Sequence, residues 1–224
     1  MPETVITVQG QHSAWYPAER ATVTATISAD GPDRDAVFAR ATKAADAVRA
    51  SITTRHHTET GPITRWSSDT VRVWSHRPWS DTGKLLPLVH TAGLDFTARF
   101  SSFEELSSWV EEVVAIKGAG IAGIEWSLTE AKQATAATEA RSRAVKDAVA
   151  KATVYAQSIG LGTVTATAIA DPGMLGDSAA TPPPVYAQAA AMKMRGGAPS
   201  DTPLALKPEQ IEVQASVDAR FLAR

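Results

Sequence analysis

Along this chain apolar residues alternate with polar ones in some stretches and return every three or four positions in others. The first period marks strands and the second helices. Residues 20–29 show the alternation most cleanly, with Val23, Ala25 and Ile27 on one face and Thr22, Thr24 and Thr26 on the other. Residues 4–10 carry Val5, Ile6 and Val8 among Thr and Gln. Residues 63–79 set Val71 and Val73 against Arg72 and Trp74. Residues 85–89 and 94–100 read as extended, and residues 123–128 as a strand. Residues 163–170 alternate Val164, Ala166 and Ala168 with Thr165 and Thr167. A last strand is expected over 210–222, where Ile211, Val213, Ala215 and Val217 alternate with Glu212, Gln214, Ser216 and Asp218. Residues 12–19, with Pro17, are expected to be a connector. Residues 53–62, ending in Gly-Pro, are expected to be a loop, and 80–83 a turn.

Three helices are expected. The first, over 33–52, follows the turn chemistry of Asp30-Gly31-Pro32-Asp33 and buries Val37, Ala41, Ala44, Ala45 and Val48. The second, over 103–117, starts at Ser102 with Glu105 three residues on, a capping box, and takes its apolar face from Leu106, Trp109, Val110, Val113 and Val114. The third, over 130–158, is capped by Thr129, ends at Gly160 and is about 44 Å long at ~1.5 Å per residue. Its Ala137, Ala140, Ala144, Ala148 and Ala152 form a small-residue stripe. Such a stripe lets a helix come close to a sheet or to another helix.

Strands and helices in this order predict an α+β fold. The sheet is mixed and largely antiparallel, packed by the long Ala-rich helix and two further helices. A strand–helix–strand unit occurs at 20–75 and again at 94–128, a weak internal duplication with no residue-level repeat. Residues 172–208 break the pattern: they hold seven of the 13 prolines, including Pro182-Pro183-Pro184, and few large apolar residues. The expected domain is 1–171 plus 208–224, with 172–207 a Pro/Ala-rich insertion loop that orders poorly and is nicked first by proteases.

Composition narrows the chemistry. Of 224 residues, 22 are basic and 24 acidic, so the net charge of -2 excludes a global polycation and no nucleic-acid partner is expected. The absence of cysteine excludes disulfides, thiolate catalysis and iron–sulfur clusters. No stretch reaches the 18 or so apolar residues of a membrane span. The opening Met1-Pro2-Glu3-Thr4-Val5 lacks the basic and apolar regions of a signal peptide. The expected compartment as written is the cytoplasm; the periplasm or cell envelope is the alternative if a leader is removed.

Gly118-Ala119-Gly120-Ile121-Ala122-Gly123 matches G-x-G-x-x-G, but it follows a helix and precedes a strand. A dinucleotide site needs the reverse order, with a helix N-terminus facing the pyrophosphate. Gly118 reads better as a left-handed residue ending the helix, and no cofactor is expected. His12, His56, His57, His76 and His90 lack metal-ligand spacing, so no metal is expected. No G-x-S-x-G elbow or P-loop occurs, and no catalytic residue is assigned. Glu139–Arg143 and Asp147–Lys151 are i, i+4 pairs and read as a solvated helix face. Six tryptophans are many for this length. Trp66, Trp74 and Trp79, with Arg72 and Arg77, form the one candidate interface or ligand surface. It could stack sugars or bases, or cover a sheet face or subunit contact, where Trp and Arg are enriched. The second reading is preferred.

The segment Glu139-Ala140-Arg141-Ser142-Arg143-Ala144-Val145-Lys146-Asp147-Ala148, then Ala150-Lys151-Ala152 and Ile159-Gly160-Leu161-Gly162-Thr163-Val164, resembles the SIMPL domain family, DUF541. That family shows A-[RL]-x-x-A-V-x-D-A-x-x-K-A-x-x-[LY]-A-x-x-x-G-x-x-[LG]-G-x-V. Gly123-Ile124-Glu125-Trp126-Ser127-Leu128 resembles the strand before its helix, and Ile6-Thr7-Val8-Gln9-Gly10 its first strand, I-x-V-x-G. The resemblance covers about 4–171 and 208–222. It implies a poorly characterised α+β domain whose last strand pairs with its first. Bacterial members are often exported, some are linked to oxidative-stress tolerance or antigenicity, and some form large homo-oligomers; an animal member associates with a signalling kinase. The family has no agreed catalytic residues. The missing signal peptide and the long insertion depart from it. The expected function is therefore a non-enzymatic module that binds itself or another protein. The alternative is a small-ligand or carbohydrate binder using the Trp-rich strand, and an unrecognised hydrolase ranks last.

Overall fold

A computed structural model describes residues 3–79, 85–175 and 206–224. The turn expected at 80–83 and nearly all of the insertion expected at 172–207 lie outside these residues. The elements, in order, are β1 (Thr4–Pro17), β2 (Arg20–Gly31), α1 (Arg34–Arg55), β3 (Ile63–Ser68), β4 (Arg72–His76), β5 (Val89–Phe100), α2 (Phe103–Ala115), β6 (Ala119–Ser127), α3 (Glu130–Ser158), β7 (Val164–Ala170) and β8 (Gln210–Ala223). This is the α+β mix expected, and every named strand pair is antiparallel. The strands form two sheets, and the chain divides into two compact units. One holds β1, α3, β7 and β8; the other holds β2 to β6 with α1 and α2.

The larger unit carries a five-stranded sheet of order β3-β5-β2-β6, with β4 also paired to β5. Read along the chain this is β-α-β-β-α-β with two split crossovers, the ferredoxin-like arrangement. The outer edge of β5 takes β4 along 89–93 and β3 along 96–100, end to end. Alternation does the sorting. Ala21, Val23, Ala25 and Ile27 of β2 and Leu94, Phe96, Ala98 and Phe100 of β5 are buried under α1 and α2. The α1 stripe is the expected one, with Val37, Ala41, Ala44, Ala45 and Val48 buried together with Ser51 and Ile52. Asp33 caps α1 by accepting from the Ala36 N–H, and Ser102 caps α2 by accepting from that of Glu105. One polar chain crosses this core: Trp109 Nε1–H donates to Ser51 Oγ at 2.9 Å, which donates to the Val48 carbonyl at 2.8 Å. Both groups are satisfied, so burying them carries no orphan penalty. Arg55 at the end of α1 reaches Glu112 of α2 at 2.8 Å and ties the two helices together.

The smaller unit has a three-stranded sheet of order β1-β8-β7 with α3 against it. First and last strands pair as the resemblance implied, over all 14 residues of each, from Thr4↔Ala223 to Pro17↔Gln210. The stretch from His12 to Pro17, expected as a connector, is therefore strand. Its period-2 signal is faint because its apolar residues, Ala14, Trp15 and Tyr16, are consecutive rather than alternating, and Pro17 is tolerated because β1 is an edge strand. A helix of 29 residues is about 44 Å long. A 14-residue strand is about 46 Å long, so α3 matches the ribbon from end to end. The contact is a strict four-residue stripe, Ala136, Ala140, Ala144, Ala148, Ala152 and Ala156, all buried. It runs through Ala136 rather than the expected Ala137, which is only partly buried. Helix α3 ends in a Schellman motif: Gly160 takes φ +80°, Leu161 N–H donates to Ala156 O, and Gly160 N–H to Gln157 O.

Other boundaries also shift. The expected strand over 63–79 is two short strands, β3 and β4, broken at 69–71. Residues 94–100 begin earlier, at Val89, as β5, and 123–128 becomes β6 from Ala119. Helix α2 stops at Ala115, two residues short of the expected Lys117. Gly118, at φ +88°, then turns the chain into β6 while its carbonyl accepts from the Ser28 N–H at 2.8 Å.

Candidate functional site

The five residues singled out by sequence do not share one surface. Trp66 on β3 sits opposite Ala98, whose side chain is in the core. Its ring lies 6.5 Å from that of Phe96, packed against the large cluster. Trp74 on β4 sits opposite Thr91, on the other face of the sheet. Alternation along β5 accounts for this, since Leu94, Phe96 and Ala98 point in while Thr91, Gly93 and Asp95 point out. Arg72, two residues from Trp74, shares its face and lies 3.8 Å from Asp69. Arg77 follows the strand and donates to the Leu86 carbonyl at 2.9 Å. Trp79 is 86% exposed and Trp74 50%.

Trp74 is seated rather than loose. Its Cη2 lies 3.3 Å from where a Cβ on Gly93 would stand, so the indole covers the glycine backbone. Gly93 is the gap into which this ring fits. The outward side of the ring remains exposed beside Arg72. The surface the structure assembles is thus Arg72 and Trp74 on one face of the β4 edge, with Arg77 and Trp79 following in the chain.

The glycine motif keeps its inverted order, helix then glycines then strand. A Cβ on Gly120 or Gly123 would meet nothing within 4 Å. Among the histidines, His57 Nδ1 lies 3.0 Å from Thr60 Oγ1, and His90 Nδ1 lies 2.8 Å from Ser75 Oγ. The Ser75–His90 pair is exposed, and among the described residues no third group orients the imidazole in the manner of a nucleophile–base–orienter relay. No cluster of three metal-binding side chains occurs among the described residues. Among the same residues no helix is long and apolar enough to cross a membrane.

Sequence reading missed one pair. Glu139–Arg143 is the exposed helix pair expected, at 2.9 Å. Asp147–Lys151, read the same way, also reaches β1. Gln11 N–H donates to Asp147 Oδ2 at 2.8 Å, Lys151 Nζ donates to the Gln9 carbonyl at 3.0 Å, and the pair itself is 2.7 Å apart. The Lys151 hydrogen bond, then that of the Gln11 backbone, holds the Asp147 carboxyl below the usual carboxylate range. Gly10, between the two bonded residues, lies under α3. A Cβ there would stand 2.0 Å from the Ala144 carbonyl and 2.7 Å from Ala148 N.

The family model for SIMPL, described as a protein of unknown function (DUF541), matches residues 6–221. No curated protein matches the chain.

Proposed function

The chain belongs to the SIMPL (DUF541) family, and from that premise we propose that it is a non-enzymatic module that associates with copies of itself. The observation that carries this reading is the β4 edge. There a half-exposed Trp74 is seated on Gly93 beside Arg72, with Trp79, 86% exposed, a few residues on. Tryptophan and arginine are the residue types that concentrate binding energy at protein interfaces. Residues 72–76 also form a short outer strand whose backbone can extend a neighbour's sheet. The stress tolerance that the resemblance implies for some members is proposed as the setting of this assembly, and another protein in place of a second copy is the nearest variant of the reading.

Light scattering on the eluting peak of a size-exclusion column tests it. The wild type is expected to run as an oligomer at tens of micromolar. Trp74→Ser with Trp79→Ser should shift the mass toward monomer with an unchanged far-UV circular dichroism spectrum. A monomeric wild type refutes the reading. The free side of the Trp74 ring favours a second reading, a carbohydrate or small-ligand platform. It requires a saturable change in tryptophan fluorescence on titration with an oligosaccharide, lost in Trp74→Ser.

A further inference from the structure

We propose that Asp147 and Lys151 are an edge lock: α3 uses them to close the outer edge of β1 to strand addition. Strand β1 is the first of three in its sheet, so one edge pairs with β8 and, among the described residues, the other has no strand beside it. Gln9 and Gln11 are two residues apart, so their backbone groups that β8 does not use point the same way, outward. A strand added in parallel would place one residue there, donating to the carbonyl of Gln9 and accepting from the N–H of Gln11. Lys151 and Asp147 do the same with their side chains, at 3.0 and 2.8 Å. Their mutual bond of 2.7 Å holds both in place.

The reach depends on Gly10. Asp147 and Lys151 bracket Ala148, whose Cβ lies 2.8 Å from the position a Gly10 side chain would take. Only a glycine there lets the helix sit close enough for both side chains to reach the strand edge. Unpaired strand edges recruit other chains, and natural sheets blunt them with charge, bulges or cover. Here a charged pair from the covering helix supplies the blunting by direct hydrogen bonds. The other edge strand of the same sheet, β7, carries a register shift between Ala166 and Ala168, where Thr167 Oγ1 donates to the Arg220 carbonyl. The lock does not depend on self-association through β4, and it is read at a different atom.

The test is amide hydrogen exchange by NMR on the full chain, with mass by light scattering. In Asp147→Ala with Lys151→Ala, the Gln11 amide should exchange about tenfold faster or more, the scale of one charge-assisted hydrogen bond. Gly10 and His12, of the opposite parity, should keep their protection. The mass should climb above that of the wild type as concentration rises. Glu139→Ala with Arg143→Ala, the pair that stays on the helix, should do neither. If the double variant does not fold, Asp147→Asn retains an acceptor and the shape; it should still speed Gln11 exchange, by about threefold, because its hydrogen bond is no longer charge-assisted. Unchanged Gln11 exchange in either variant overturns the proposal. So does a freed Gln11 amide with the wild-type mass kept at every concentration. A monomeric wild type would defeat the β4 reading and leave the lock standing.

Discussion

In the larger unit Phe96, Phe100, Leu106 and Trp109 fill the space between sheet and helices; in the smaller unit six alanines and a glycine remove that space. The two cores therefore fail in opposite directions. A core of large side chains is sensitive to deletion, because a cavity remains. A core built by close approach is sensitive to addition, because the backbones have nowhere to go. The family pattern in α3, with Ala at four-residue spacing and Asp and Lys beside it, is read on this view as a recipe for approach. The alanines bring the helix to the ribbon, and the two charged residues bond to the strand once it is there.

The largest effect is expected at Trp109. Trp109→Ala empties a fully buried indole site and removes the donor to Ser51. It should lower unfolding free energy by about 3–5 kcal/mol in urea denaturation. Ala148→Leu, which adds volume where α3 meets Gly10, should cost about 1–3 kcal/mol or more. Ala134→Leu, on the exposed side of the same helix, should leave stability within about 0.5 kcal/mol. If both leucines are tolerated alike, approach is not what limits the smaller core.

A gentler effect concerns acid. Asp147 is held below the usual carboxylate range by the Lys151 hydrogen bond and the Gln11 N–H, with smaller help from the charges of Lys151 and His12 and with burial opposing. A carboxylate whose folded pKa is lowered adds stability that is complete above the unfolded value and is lost as pH falls through the folded one. The Gln11 amide should therefore stay protected at neutral pH and lose protection only as pH falls through the lowered carboxyl pKa, below the ordinary aspartate range. Asp147→Ala should abolish that step. A pH-independent Gln11 amide in the wild type would contradict the assignment.

Much of the fold is legible in the sequence because the signals are local. Alternation in β2 and the caps at Asp33, Ser102 and Thr129 name their elements without reference to the rest of the chain. What sequence does not give is long-range. The second half of β1 is strand because β8, some 200 residues away, supplies its ladder, while its own apolar residues, Ala14, Trp15 and Tyr16, are consecutive and show no alternation. Trp66 and Trp74 are close in sequence but separated by the break between β3 and β4, which sets their rings on opposite faces of one sheet. Asp147 and Lys151 look like any i, i+4 pair until Gln11 is brought beside them. The family pattern marks Gly10 but not its reason, which is the helix above it.

Two glycines in strands, neither at positive φ, isolate that reason. At Gly10 an added Cβ would meet the α3 backbone at 2.0 Å, and at Gly123 it would meet nothing within 4 Å. Urea denaturation of Gly10→Ala and Gly123→Ala, side by side, is the most direct measurement. Gly10→Ala should lose about 2 kcal/mol or more, the range of overpacked cores. Gly123→Ala should hold or gain up to about 1 kcal/mol, since alanine restricts the unfolded chain more than glycine does. A Gly10→Ala protein as stable as the wild type would show that α3 does not sit close on β1, and the small-residue core would lose its basis.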